Sequence, residues 1–197
     1  MHASSTAPDP GSALPESPAA TRRLWLVLRV VILVWIGLLA FLALSQRSMI
    51  YYPSNSDASS LEREAASQDF EPWKNPEGET IGYRSLAAPE DRRPPVAILV
   101  LHGNAGYALH RAGYAPLLRI AAPDRAVSVY ILEYPGYGAR PGSASQETFL
   151  AAADEAFALI PVGIPVILLG ESIGSGVAAA TASAHPARVA GLLLLTP

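Results

Sequence analysis

Apolar residues fall into runs of two lengths, and the lengths predict different elements. Residues 24–44 are apolar throughout except for Arg29. At about 1.5 Å per residue a helix of that length extends about 31 Å, one hydrocarbon thickness, so a transmembrane helix over residues 22–45 is expected. Beyond it the runs are short. Residues 80–87 alternate as a strand does; residues 96–101, 127–132, 166–169 and 189–195 are continuous apolar stretches of strand length. Between them lie segments of helical period. Residues 109–122 place Leu117, Leu118 and Ile120 on one expected inward face, and residues 146–160 repeat Phe149, Leu150, Ala153, Phe157 and Ile160. Residues 177–184 are alanine-rich. Strands that are apolar on both faces, alternating with helices, predict an α/β fold with a mostly parallel sheet covered by crossover helices.

The polar stretches set the boundaries. Residues 1–21 are rich in Ser, Ala and Pro without hydrophobic period, and predict a disordered tail. Residues 46–78 read as linker and domain entry, with 53–68 either linker or a short surface helix; 89–95 form a turn, and 79–197 make up the main domain. Trp25 and the Tyr51, Tyr52 pair flank the long apolar run where amphipathic rings settle at membrane surfaces. Arg22, Arg23 and Arg29 on the amino side outweigh Arg47 on the other, which predicts a single-pass protein with a cytoplasmic amino end and an extracytoplasmic main domain. Ala43, Leu44 and Ser45 offer a small-x-small cleavage site, so a cleaved signal peptide is the competing reading. It is disfavoured because the apolar run exceeds the roughly 7–15 residues of a signal core.

Composition narrows the chemistry mainly by exclusion. A net charge of −3 supplies no positive field, so no nucleic-acid partner is expected. With no cysteine there is no disulfide framework, no thiolate nucleophile and no cysteine metal site. None of the four histidines pairs with another at i, i+4, so neither a metal nor a cofactor is expected.

The candidate chemistry lies at the end of the 166–169 run. Gly170, Glu171, Ser172, Ile173 and Gly174 form G-x-S-x-G between a strand and a helix, with Gly176 close behind. A serine in so sharp a turn presents its Oγ beyond the sheet edge, and the strand and helix then pass too closely for a Cβ at the flanking glycines. No G-K-[ST] follows for a P-loop, and the glycines do not make G-x-G-x-x-G. Parallel strands bring their carboxyl ends to one edge, where residues 102–106, 133–138 and 170–174 meet.

Four stretches occur in order: Gln46-Arg47-Ser48-Met49-Ile50-Tyr51-Tyr52-Pro53, His102-Gly103-Asn104-Ala105-Gly106, Glu133-Tyr134-Pro135-Gly136-Tyr137-Gly138, and 170–176. Together they resemble the α/β-hydrolases, and within them the membrane-anchored branch of bud-emergence-type, palmitoyl-protein-thioesterase-related and serine-aminopeptidase-like proteins. The resemblance covers the chain from about Gln46 onward. It implies that Ser172 is the nucleophile, that the backbone N–H groups of Asn104 and Ile173 form the oxyanion hole, and that Gly170, Gly174 and Gly176 shape the elbow. It also implies a serine hydrolase acting on an ester, thioester or amide, with the bilayer as partner and a small-molecule, acyl-lipid or acyl-protein substrate. His102 is expected to support the oxyanion loop, His110 and His185 to lie on surface helices, and Glu133 and Asp154 to be structural.

One departure bears on activity. In this family the triad runs serine, acid, histidine in chain order. After Ser172 no acidic residue follows, and His185 lies thirteen positions along the elbow helix, roughly 20 Å away. The strand over 189–195 would also expose an apolar edge. The expectation is therefore the amino-terminal part of a hydrolase domain, a fragment inactive by itself; the alternative is a non-catalytic binding or scaffold protein on the same fold.

Overall fold

A computed structural model describes residues 18–197, and the chain divides into two compact units, Met1–Gln46 and Arg47–Pro197. Most of the expected tail thus lies outside the described residues. Helix α1 spans Pro18–Ile50, longer at both ends than the run of large apolar residues, and its stretch Thr21–Ile50 is long and apolar enough to cross a membrane. None of that stretch's most apolar window is buried.

The second unit is built from β1 (Tyr52–Pro53), α2 (Ala58–Ser67), β2 (Glu71–Lys74), β3 (Thr80–Ser85), β4 (Pro95–Leu101), β5 (Ala105–Gly106), a 3-10 turn (Ala108–Arg111), α3 (Tyr114–Ala121), β6 (Ala126–Leu132), α4 (Gln146–Leu159), β7 (Val166–Glu171), α5 (Ile173–Ala184) and β8 (Val189–Leu195). Six strands form one sheet in the order β2-β3-β6-β4-β7-β8. The pairs β6-β4, β4-β7 and β7-β8 are parallel, whereas β3 is antiparallel to both β2 and β6. β4 shows why the central strands read as unbroken apolar runs. Ala97, Leu99 and Leu101 join the core containing Phe149 and Phe157 of α4 and Val177 of α5; Val96, Ile98 and Val100 join the one containing Leu61 of α2 and Ala115 of α3. Successive side chains point to opposite faces, so a strand covered on both sides is apolar at every position.

Of the two readings of 53–68 the short helix is the one observed: α2 is N-capped by Asp57, whose Oδ1 accepts the Ser60 N–H at 2.9 Å, and it buries Leu61 and Ala65. Before it, β1 pairs in parallel with β5 and Asn55 bridges to Gly138, so the segment is woven into the strand-end loops. The predicted helix over 109–122 is a 3-10 turn followed by α3, broken around Gly113. That break rotates the inward face: Ala112 and Ala115 are buried and Leu118 half-buried, while Leu117 and Ile120 are 63% and 75% exposed. β2 was not expected at all; it is an edge strand, where Pro72 is tolerated.

Candidate active site

The elbow begins where β7 ends. Ser172 is the N-cap of α5, exposed, with φ 51° and ψ −121°. A non-glycine residue at positive φ costs about 1–3 kcal/mol and persists only where its surroundings impose it. Those surroundings are close-packed backbone. A Cβ on Gly174 would run into the carbonyl oxygens of Leu101 and His102, and one on Gly170 would lie 2.6 Å from the Gly174 carbonyl oxygen and 2.7 Å from Ser175 Cα. Gly176 differs: a Cβ there would meet open space, so it takes no part in the tight approach. The Ser172 N–H donates to the Leu195 carbonyl at 2.9 Å, and Ser175 Oγ donates to the Gly170 carbonyl at 3.0 Å. Ile173, the first residue of α5, presents one of the N–H groups that a helix leaves without an internal acceptor.

The loop after β4 lies beside this turn, because β4 and β7 are parallel neighbours with Leu101 in register with Gly170. Its shape is held by side chains. Asn104 Oδ1 accepts the Tyr52 N–H (3.0 Å) and the Tyr137 hydroxyl (2.9 Å), while Nδ2 donates to the Ile50 carbonyl. Burial pushes the Tyr137 phenol up to about 12, which keeps it a neutral donor. His102 is fully buried, and its Nδ1 lies 2.7 Å from the Gly103 carbonyl. A carbonyl only accepts, so Nδ1 carries the hydrogen. Nε2 faces Glu133 Oε1 at 3.3 Å without hydrogen-bond geometry, and the Glu133 carboxylate accepts the Ala108 N–H at 3.1 and 3.2 Å. Both residues brace the loop.

Between elbow and loop stands an ion pair. Arg111 donates from Nε to Glu171 Oε2 at 2.8 Å and from Nη2 to Oε1 at 2.6 Å, and Tyr114 donates its hydroxyl to Oε2 at 3.0 Å. The guanidinium, more than any other group, holds the Glu171 carboxyl below the usual carboxylate range.

The alpha/beta hydrolase fold family matches over residues 96–197. The chain belongs to the alpha/beta hydrolase family. Among its relatives, an uncharacterized protein of Mycobacterium tuberculosis is 30% identical over 176 residues, covering 87% of this chain and 60% of that protein. Protein bem46 of Schizosaccharomyces pombe is 27% identical over 171 residues, covering 79% and 54%. The chain thus spans between half and two thirds of the length of these curated relatives. A thioesterase domain from the curacin biosynthetic pathway superposes with a TM-score of 0.50 at 26% identity, over 64% of this chain and 44% of that one. The epoxide hydrolase of Aspergillus niger shares the fold at a TM-score of 0.50 and 20% identity, over 71% and 37%.

In this α/β-hydrolase the sequence-derived site residues fall into two neighbouring segments: Gly170, Ser172, Ile173 and Gly174 in the elbow, and Asn104 in the adjoining loop. The remaining described histidines are engaged elsewhere. His110 stacks at 3.9 Å on Tyr107; His185 caps the far end of α5, stacks at 4.4 Å on Phe157 and lies 3.1 Å from Asp154 Oδ1. Arg111, Tyr114 and Glu171, and the side chain of Asn104, were not singled out from sequence as partners that hold the site. The i, i+3 spacing of Arg111 and Tyr114, two polar side chains on one side of an expected helix, was the available signal.

Proposed function

We propose that this α/β-hydrolase is a membrane-anchored serine hydrolase that cleaves an ester, thioester or amide through an acyl-enzyme. The observation that carries it is Ser172: exposed, held at positive φ by backbone packing, at the amino end of α5. Its Oγ would attack the carbonyl carbon, and the carbonyl electron pair would move onto oxygen, stabilised by the N–H groups of Ile173 and Asn104. Collapse of that intermediate expels the alcohol, thiol or amine, which departs with the Ser172 hydroxyl proton, and leaves acyl on Ser172; water then attacks the acyl carbon, releasing the carboxylic acid and returning a proton to Ser172 Oγ. Among the described residues no histidine is assigned as general base, since His102, His110 and His185 are engaged as above. An apolar groove of 260 Å³ supports an acyl substrate, lipid or protein: it is lined by Tyr51, Phe149, Leu150, Ile173, Gly176 and Val177.

Membrane anchoring is supported by α1, whose large apolar side chains are exposed along its length. Its arginine asymmetry supports a cytoplasmic amino end. The test is labelling of the protein at its native length, with whatever follows Pro197, by a fluorophosphonate, in membranes, with Ser172→Ala beside it. Labelling of the wild type and none of the variant supports the reading; equal labelling removes Ser172 as nucleophile. A folded wild type that takes no label favours a binding protein on this fold.

A further inference from the structure

The two oxyanion donors proposed above sit on different elements, so something must fix the span between them. The geometry points to Arg111 as the positioning residue that does so, an inference that rests on the serine-hydrolase reading. One face of the guanidinium fork holds Glu171, the residue immediately before Ser172, through two bonds of 2.8 and 2.6 Å. The third nitrogen, Nη1, donates to the carbonyl of Ala105, the residue immediately after Asn104, at 3.0 Å. Arg111 therefore ties together the residues adjacent to both donor segments. Its side chain is 13% exposed, and the carboxylate it holds is 21% exposed, so water competes weakly for either.

The glycines around Asn104 and Ala105 carry the imprint of this bridge. A Cβ on Gly103 would lie 2.9 Å from Glu171 Oε1 and 3.3 Å from Arg111 Nη2, and one on Gly106 would lie 2.5 Å from His110 Nδ1 and 2.9 Å from Arg111 Nη1. Gly106 also has φ +92°, a conformation that glycine adopts without strain. At Gly103 the loop is thinned where the Arg111–Glu171 pair passes, and at Gly106 where both His110 and Arg111 pass. Lysine cannot replace it. A single ammonium would neutralise Glu171, but it lacks the planar fork that spans a carboxylate and a carbonyl at once.

The test compares wild type, Ser172→Ala, Arg111→Lys and Glu171→Gln, each in the protein at its native length in detergent, with p-nitrophenyl butyrate as the probe ester. The expected result for Arg111→Lys is a kcat about tenfold or more below wild type with KM within about twofold, because displaced oxyanion donors act on the transition state. Amide hydrogen exchange should accelerate in residues 102–106 and 171–175 and stay unchanged in β6 and α4. Wild-type kcat in Arg111→Lys, or wild-type exchange in both segments, overturns the inference, since a role in charge balance alone survives the lysine. Absence of Ser172-dependent turnover in the wild type overturns the serine-hydrolase reading instead, and the exchange result still decides whether Arg111 couples loop to elbow.

Discussion

The elbow after β7 and the loop after β4 lie side by side on parallel strands, yet they are held by opposite means. The elbow is fixed by backbone against backbone, with Gly170 removing the atom that would strike the α5 backbone and Gly174 the one that would strike the carbonyls of β4 and its loop. The loop is fixed by side chains whose partners are distant in sequence. Asn104 bonds to positions 33, 52 and 54 residues away, and Arg111 reaches Glu171 across 60. Local close packing leaves a spaced glycine pattern; long-range polar straps leave almost none. The elbow should therefore break through sterics and the loop through lost hydrogen bonds.

The strongest break in that contrast is Gly174→Val. The added Cβ meets the Leu101 and His102 carbonyls, at the end of β4 where Leu101 is in parallel register with Gly170. We expect a loss of about 3 kcal/mol or more, a large share of the roughly 5–15 kcal/mol of an ordinary domain, and a correspondingly lower melting temperature. Circular dichroism melting of the purified chain checks this; a wild-type melt would mean that α5 is not pressed against β4.

The same contrast governs what was legible. Runs such as 96–101 and 127–132 exposed the parallel sheet because burial on both faces demands apolar side chains at every position. The elbow was legible because its geometry excludes Cβ atoms at fixed spacing. Segment 52–56 was not, since its pairing with Ala105–Gly106 and Gly138 uses main-chain groups that any residue carries. Nor was the inward face of α3: the break around Gly113 turned it after Leu109, and Leu117 and Ile120 went outward. Arg111 and Glu171 could be seen individually as charges, but their pairing depends on that same turn.

On the loop side the corresponding break is Asn104→Ala. It removes three hydrogen bonds and leaves the buried Tyr137 hydroxyl without the acceptor seen here. At about 1 kcal/mol net per bond, a loss of about 2–3 kcal/mol is expected, less than for Gly174→Val. Its faster amide exchange should be confined to residues 50–54 and 102–106. Exchange accelerating equally throughout the sheet would show that the loop and elbow are not separately held.

A smaller effect separates charge from packing. Glu171 has a folded carboxyl below its unfolded value because Arg111 favours the ionised form. Its contribution is therefore complete above the unfolded value of about 4.3 and disappears as the pH falls through the lower folded value. Melting temperature measured downward from pH 6 should fall more steeply in wild type than in Glu171→Gln. Parallel profiles would mean the ion pair adds nothing to stability.

The smallest effect has the opposite sign and tests whether every elbow glycine acts alike. Gly176 lies inside α5, where glycine costs about 0.5–1 kcal/mol relative to alanine through backbone entropy. No atom lies within 4 Å of the Cβ it lacks, in contrast to Gly170 and Gly174. Gly176→Ala should therefore raise the melting temperature slightly, while its methyl intrudes on the apolar groove beside Ile173. If that groove receives acyl chains, the variant should turn over butyrate esters as wild type does and longer esters more slowly. A destabilised Gly176→Ala would place this glycine with the other two and extend the steric half of the contrast by about half a turn of helix.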